Sequence, residues 1–299
     1  MNKLILCEGK TDAILLSYYL GRVRQWMPCK RGPKNYRISV DEKIGESAYW
    51  YQQGSDYLLI CAVGGKNKFG SFFEEKIRAA IKDAQVFSKM ALVTDRDDRQ
   101  EEAIEREVCQ CFAPVVTQAE QNVWTENQYQ DGYGQQQSLS FLLLVIPTDQ
   151  QGALETLLLN AISEDPYDRE IVRRSAAFVD EMEPYAKKYI GHARLKLKAR
   201  LGVTWAIQSP GKEFDFIDKQ IRSVPWENSD TLSRCFSNLV LILQLYNIKH
   251  KEQLRPVADG CLRQVFFVKT TSPPFGDSIE YQQLPLYIGL FLTGTILIV

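Results

Sequence analysis

The stretch that most constrains this chain is Ala91-Leu92-Val93-Thr94-Asp95-Arg96-Asp97-Asp98-Arg99, an apolar run that ends abruptly in acids. Buried parallel strands read as short apolar runs, and open α/β sheets place ligands beyond the carboxyl ends of their strands. In extended backbone, residues i and i+2 point the same way, so Asp95 and Asp97 are expected to aim two carboxylates at one point. Hard cations such as magnesium take this kind of oxygen ligand.

A second acidic pair opens the chain. Leu4-Ile5-Leu6-Cys7 is a short apolar run, Glu8-Gly9-Lys10-Thr11-Asp12 follows it, and Ala13 to Leu20 has helical spacing. Glu8 is thus expected at a strand tip and Asp12 in the first helical turn, where an acid is favoured, with Gly9 permitting a sharp turn between them. Gly9-Lys10-Thr11 mimics the end of a P-loop, but the glycine required five residues earlier is replaced by Leu4, so no ATP site is expected.

Together, Glu8, Gly9, Asp12, Asp95 and Asp97 resemble the motifs of the Toprim domain, shared by topoisomerases, bacterial-type primases, OLD-type nucleases and small ribosomal-RNA maturation nucleases. The resemblance covers roughly Lys3 to Ile162. It implies an α/β fold with a mainly parallel sheet flanked by helices, and a Mg²⁺ or Mn²⁺ site built on Glu8, Asp12, Asp95 and Asp97, with Glu8 a ligand or a general acid/base. OLD-type proteins add a Leu-Glu acid, to which Leu154-Glu155 is similar, and a downstream lysine for which Lys196, Lys198 and Lys212 are the candidates. A small Toprim-like family is also similar around Gly152-Ala153-Leu154-Glu155. Topoisomerases add a nucleophilic tyrosine on a separate large domain and primases a zinc module; neither pattern is present. The implied activity is metal-dependent cleavage of DNA or RNA, in phage defence or nucleic-acid processing. OLD-type systems join this domain to an ATPase, which here would be a separate chain.

Other stretches suggest nucleic-acid contacts. Residues 22–37 carry several cations, including Arg31 and Lys34, with Trp26 and Tyr36 among them and no acid before Asp41; they belong to an insertion over residues 22–56. Gly64-Gly65-Lys66-Asn67-Lys68 follows the strand Tyr57–Val63, and such a turn either presents N–H groups and the Lys66 and Lys68 charges to an anion or is a plain tight turn. Residues 187–200 are the densest cationic stretch, with Lys187, Arg194 and Lys198 near one face at helical spacing. Further strands are expected at Lys89–Thr94, around Val115-Val116 and at Leu139–Ile146. Helices are expected over Phe69–Ala84, Arg99–Cys111 and Leu232–Tyr246, with a short amphipathic piece over Phe214–Ile221 and an exposed loop over Glu126–Gln137. The organisation expected is a catalytic domain over residues 1–162, a helical region over 163–269, and a linker and apolar tail over 270–299.

Bulk properties exclude several classes. Across 299 residues the net charge is −1, so any basic surface must be local. Seven scattered cysteines form no C-x-x-C pair, which argues against a zinc ribbon or a disulfide framework and for a reduced, cytoplasmic setting. The start runs straight into the first strand, so no signal peptide is expected. The apolar run 286–299 is shorter than the roughly 20 residues a membrane span needs, and a buried hairpin or packed tail is expected there. Two other classes compete with the nuclease: a non-catalytic nucleic-acid-binding or partner-binding protein on a degenerate fold of this type, and a sugar-nucleotide transferase, which has no use for Glu8-x-x-x-Asp12. Oligomeric state is not legible.

Overall fold

The computed structural model describes residues 2–33, 38–78, 87–211 and 217–241, and the backbone of 290–292 and 295–297. Its centre is four parallel strands, β1 (Asn2–Cys7), β4 (Asp56–Val63), β5 (Lys89–Asp95) and β7 (Gln136–Ile146). On one side β3 (Glu46–Gln53) pairs antiparallel with β4 and β2 (Met27–Cys29) antiparallel with β3, and β6 (Trp124–Gln130) lies antiparallel to β7 on the other. The order across the sheet is β2-β3-β4-β1-β5-β7-β6, a mostly parallel α/β arrangement as expected.

Alternation along the strands builds two cores. Ile5, Cys7, Ala91 and Val93 face α1 (Lys10–Arg24), α4 (Leu154–Ile162) and helices further along the chain. Leu4, Leu6, Met90 and Leu92 face α2 (Phe69–Phe72) and α3 (Glu101–Phe112). A parallel strand buried on both faces has no polar side, which is why β1 and β5 read as unbroken apolar runs. Cys7 and Cys61 are fully buried free thiols and pack as small apolar residues.

The first core continues through α5 (Pro166–Met182), α7 (Ala193–Gln208), α8 (Ile217–Ser223), α9 (Asp230–Cys235) and α10 (Ser237–Leu241), while the short α6 (Lys187–Ile190) between α5 and α7 buries no residue. Leu201, Trp205, Trp226, Leu232 and Leu239 are among its buried residues. Asp165 caps α5 through Oδ1, which accepts the Tyr167 N–H at 2.8 Å, with Pro166 opening the helix. The chain divides into two compact units, Met1–Gln253 and Leu254–Val299. In the second, Leu290–Leu292 (β8) and Thr295–Leu297 (β9) pair antiparallel. No helix among the described residues is long and apolar enough to cross a membrane.

Several expected elements fall elsewhere. The insertion holds two strands: the aromatic run Tyr49-Trp50-Tyr51 favours extended backbone, and the tight turn at Gly54, with φ +59°, folds β3 back on β4. The fourth strand is β6, which overlaps the Glu126–Gln137 segment whose Gln/Asn content suggested a loop, because polar residues suit an edge strand with one wet face. Val115 and Val116 lie in a buried loop beside it, which is anchored where the Asn127 side chain accepts the Thr117 and Gln118 N–H groups at 2.8 and 2.9 Å. After Phe72, α2 widens into a π-helical turn over Phe73–Ile77; residues 79–84 of the expected helix lie outside the described residues. The apolar segment from Leu232 breaks at Phe236, and 242–246 lie outside the described residues, as do 214–216 of the Phe214–Ile221 piece.

Phe112 joins helix to sheet in the second core, edge-on to Phe73 at 4.7 Å and tilted against Phe141 at 6.2 Å. Phe112→Ala should lower unfolding free energy by about 3–5 kcal/mol in urea titrations, the range for emptying a packed aromatic site. A loss below about 1 kcal/mol would mean that this layer is not tightly packed.

Candidate active site

The carboxyl ends of β1 and β5 are adjacent, and Glu8 joins them. Its Oε1 accepts hydrogen bonds from the Thr94 hydroxyl at 2.8 Å and the Asp95 N–H at 2.9 Å. Asp95 Oδ1 accepts the Leu154 N–H at 2.9 Å, so the first turn of α4 is tied to the tip of β5. Both carboxylates are buried, each 3 % exposed. Asp12, half-buried in the first turn of α1, folds back so that Oδ2 accepts the Gly9 N–H at 3.0 Å.

Two cations answer these acids. Arg194, at the start of α7, places Nη2 3.0 Å from Asp95 Oδ2 and 3.3 Å from Glu8 Oε2. Lys66 donates to the Asp95 carbonyl at 3.2 Å, pairs with Asp97 Oδ2, and lies 3.7 Å from Glu8 Oε1. Repulsion among the acids persists all the same. Burial, then the Glu8 charge, pushes the Asp12 carboxyl up to about 7. Burial, then Glu8 and Asp12, pushes Asp95 up to about 8 against the pull of Arg194 and the Leu154 N–H. Clustered carboxylates with raised pKa at strand tips are common in functional sites.

Asp97 does not follow the extended spacing expected of it. The strand ends at Asp95, and Asp97 turns to φ +52°, locked by a two-way backbone bridge with Gly152: the Asp97 N–H donates to the Gly152 carbonyl at 2.6 Å and the Gly152 N–H to the Asp97 carbonyl at 3.0 Å. Its carboxylate therefore meets Lys66 rather than lying parallel to that of Asp95. Gly152 has φ +139°, and a Cβ there would lie 2.3 Å from Thr156 Oγ1, so only glycine fits. The Gly64-Gly65 turn also departs from its anion-binding reading: the Gly65 N–H is spent on the Glu8 carbonyl at 2.8 Å, and a Cβ on Gly64 would strike the Ile44 carbonyl at 2.3 Å. The turn instead aims Lys66 at the acids.

The remaining expected residues divide clearly. Glu155 is half-buried, and its charge adds to the upward push on Asp12. Lys198 and Glu155 line a groove of about 340 Å³ with Thr11, Leu158 and Trp205. Lys196 turns away and pairs with Glu183 and Asp180 on α5. Lys68 donates to the Ile44 carbonyl at 3.1 Å. Lys187 is exposed on α6, and the chain breaks at Gly191-His192 before α7, so Lys187 does not share a helix face with Arg194 and Lys198. Arg31 is exposed in the loop after β2, and Lys34 and Lys212 lie outside the described residues. The sequence reading missed Thr94 as a partner of Glu8 and missed that Arg194 and Lys66 serve the carboxylates; the one signal for the first was a hydroxyl at the end of an otherwise apolar strand.

Glu8, Asp12 and Asp95 are hard oxygen donors carrying more negative charge than their burial tolerates, and this donor chemistry fits a divalent cation. Among the described residues, no three His, Cys, Asp or Glu side chains already stand in metal-holding geometry. Between Glu8 and Asp95 the counter-charge is the Arg194 guanidinium.

Residues 2–240 match the family described as "Protein of unknown function (DUF3226)". Among solved structures, the chain is similar to hypothetical protein PH0156 from Pyrococcus horikoshii OT3, with a TM-score of 0.46 and 16% identity, covering 81% of this chain and 98% of that one. No curated protein matches the chain.

The raised Asp12 pKa has a consequence for stability. The folded state holds this proton more tightly than the unfolded chain, so its contribution is full below the ordinary value of 3.8 and is lost as pH rises through about 7. Asp12→Asn keeps an oxygen for the Gly9 N–H and does not ionise. Relative to wild type it should gain on the order of 4 kcal/mol between about pH 4 and pH 8 in denaturant titrations; a pH-independent difference would contradict the buried repulsion.

Proposed function

We propose that this chain, which belongs to the DUF3226 family, hydrolyses phosphodiester bonds of nucleic acid with a divalent cation held by Glu8, Asp12 and Asp95. The observation that carries this reading is the gathering of buried carboxylates at the adjacent tips of β1 and β5, kept together against their own repulsion. The resemblance of Glu8, Gly9, Asp12, Asp95 and Asp97 to Toprim motifs supports it. A bound Mg²⁺ or Mn²⁺ would supply Lewis-acid charge to the phosphate and lower the pKa of an attacking water.

The chain's own groups have distinct tasks in this scheme. Thr94 and the Asp95 N–H hold Glu8 Oε1, so Oε2, 3.3 Å from Arg194 Nη2, is the oxygen that would meet the cation. The Leu154 N–H fixes the Asp95 carboxylate. Lys66, steadied by Asp97 and the Asp95 carbonyl, offsets negative charge that develops on the phosphate. Arg194 is 46% exposed at its side chain and sits at a helix start, so it is free to exchange carboxylate for phosphate oxygens.

One observation favours a second reading. Arg194 and Lys66 already neutralise the acids, as they would in a strand-binding protein that does not cut. Cleavage separates the two. Wild type should cut at least one of plasmid, single-stranded DNA and structured RNA in Mg²⁺ or Mn²⁺, and Asp95→Ala/Asp97→Ala should lose about 100-fold or more of that rate. Equal cutting by both proteins would overturn the nuclease reading. Strand binding without cutting by either would establish the binding module.

A further inference from the structure

The segment linking α5 to α7 presents aromatic rings to solvent in a way the acid cluster does not require. Tyr185 is 86% exposed and Tyr189 68%. Large apolar surface left open in this way marks a contact site more often than chance. The rings come from ordered backbone: the Tyr185 N–H donates to the Met182 carbonyl at 3.0 Å and the Tyr189 N–H to the Ala186 carbonyl at 2.8 Å.

Charge says what kind of partner fits. Residues 185–200 contain Lys187, Lys188, Arg194, Lys196, Lys198 and Arg200 and no acid, in a chain whose net charge is −1. Lys196 and Arg200 are consumed by Glu183 and Asp180 of α5, and Arg194 by Glu8 and Asp95. Lys187 and Lys188 have no carboxylate partner among the described residues, and the Lys188 ammonium lies 5.3 Å from the Tyr189 ring centre. Two exposed rings with two unspent cations between them match a polyanion with flat faces. A protein partner would more often meet an apolar centre depleted of lysine.

Position gives the direction. Tyr189 lies five residues before Arg194, whose guanidinium touches Asp95. We propose that Tyr185, Lys187, Lys188 and Tyr189 form a platform for single-stranded nucleic acid, stacking unpaired bases and leading the strand to the acid cluster. The inference rests on the nuclease reading only for where the strand goes; the platform itself is a binding claim. A duplex keeps its bases stacked on one another and gains little from the rings, so single strands are preferred.

The test is fluorescence anisotropy in EDTA, where cleavage is silent, using labelled oligothymidylate, oligouridylate and a blunt duplex. Wild type should bind both single strands more tightly than the duplex; a preference between the first two tells DNA from RNA. Tyr185→Ala/Tyr189→Ala, which removes no buried contact, should weaken single-strand binding about tenfold or more and leave duplex binding nearly unchanged. Lys187→Gln/Lys188→Gln should reduce the slope of log Kd against log salt by about 1.4, the share of two phosphate contacts on a single strand. Unchanged single-strand affinity in the tyrosine variant overturns the platform even if the wild type cuts. The same holds if that variant instead loses self-association in sedimentation, which would assign the rings to a second copy of the chain. Binding that behaves as expected while Mg²⁺ gives no cleavage upholds the platform and overturns the nuclease reading alone.

Discussion

Everything at the acidic end of this molecule depends on how Glu8 is held. Its side chain bonds both Thr94 and the Asp95 N–H, and its carbonyl receives the Gly65 N–H, so one residue ties the tips of β1 and β5 to the turn after β4. Asp95 extends the tie to α4. A buried charge-bearing lattice of this kind is stable only with counter-charge, and removing one partner from a buried pair typically costs about 3–5 kcal/mol. Arg194 and Lys66 are therefore as much part of the fold at this end as of any chemistry.

The backbone is shaped to serve that lattice. Gly152 occupies a conformation and a space that a side chain cannot share, and through its bridge to Asp97 it turns the chain sharply out of β5. Gly64 does the same after β4, where the Ile44 carbonyl passes too close for a Cβ. The two turns bring Lys66 and Asp97 into contact, although neither lies in a strand. Their pairing comes from loop geometry fixed by glycine, not from the alternation of extended backbone.

The same physics decides what could be read in the chain beforehand. Strands buried on both faces announce themselves as apolar runs, so β1, β4, β5 and β7, and with them Glu8 and Asp95 at strand tips, were legible. Edge strands were not. β6 is rich in Gln and Asn because one face and one edge meet water, and composition alone could not distinguish it from a loop. β3 is interior to the sheet, but it lies inside an insertion whose charge suggested a contact loop. The counter-ions were illegible for a different reason: Arg194 is 186 residues from Glu8, and no local pattern reports a contact at that range. A cationic run reads as one surface, yet the fold splits it between pairs with α5, the acid cluster and open solvent.

A nuclease role requires the acid cluster to accept a divalent cation in exchange for its internal counter-charge. The most direct measurement is the electron paramagnetic resonance signal of free Mn²⁺ titrated with the protein. Wild type should extinguish that signal in proportion to added chain, and Glu8→Gln, which removes one ligand charge while retaining an acceptor oxygen, should restore most of it. If millimolar wild-type protein leaves the free-ion signal unchanged, Glu8, Asp12 and Asp95 do not form a metal site, and their burial serves the fold alone.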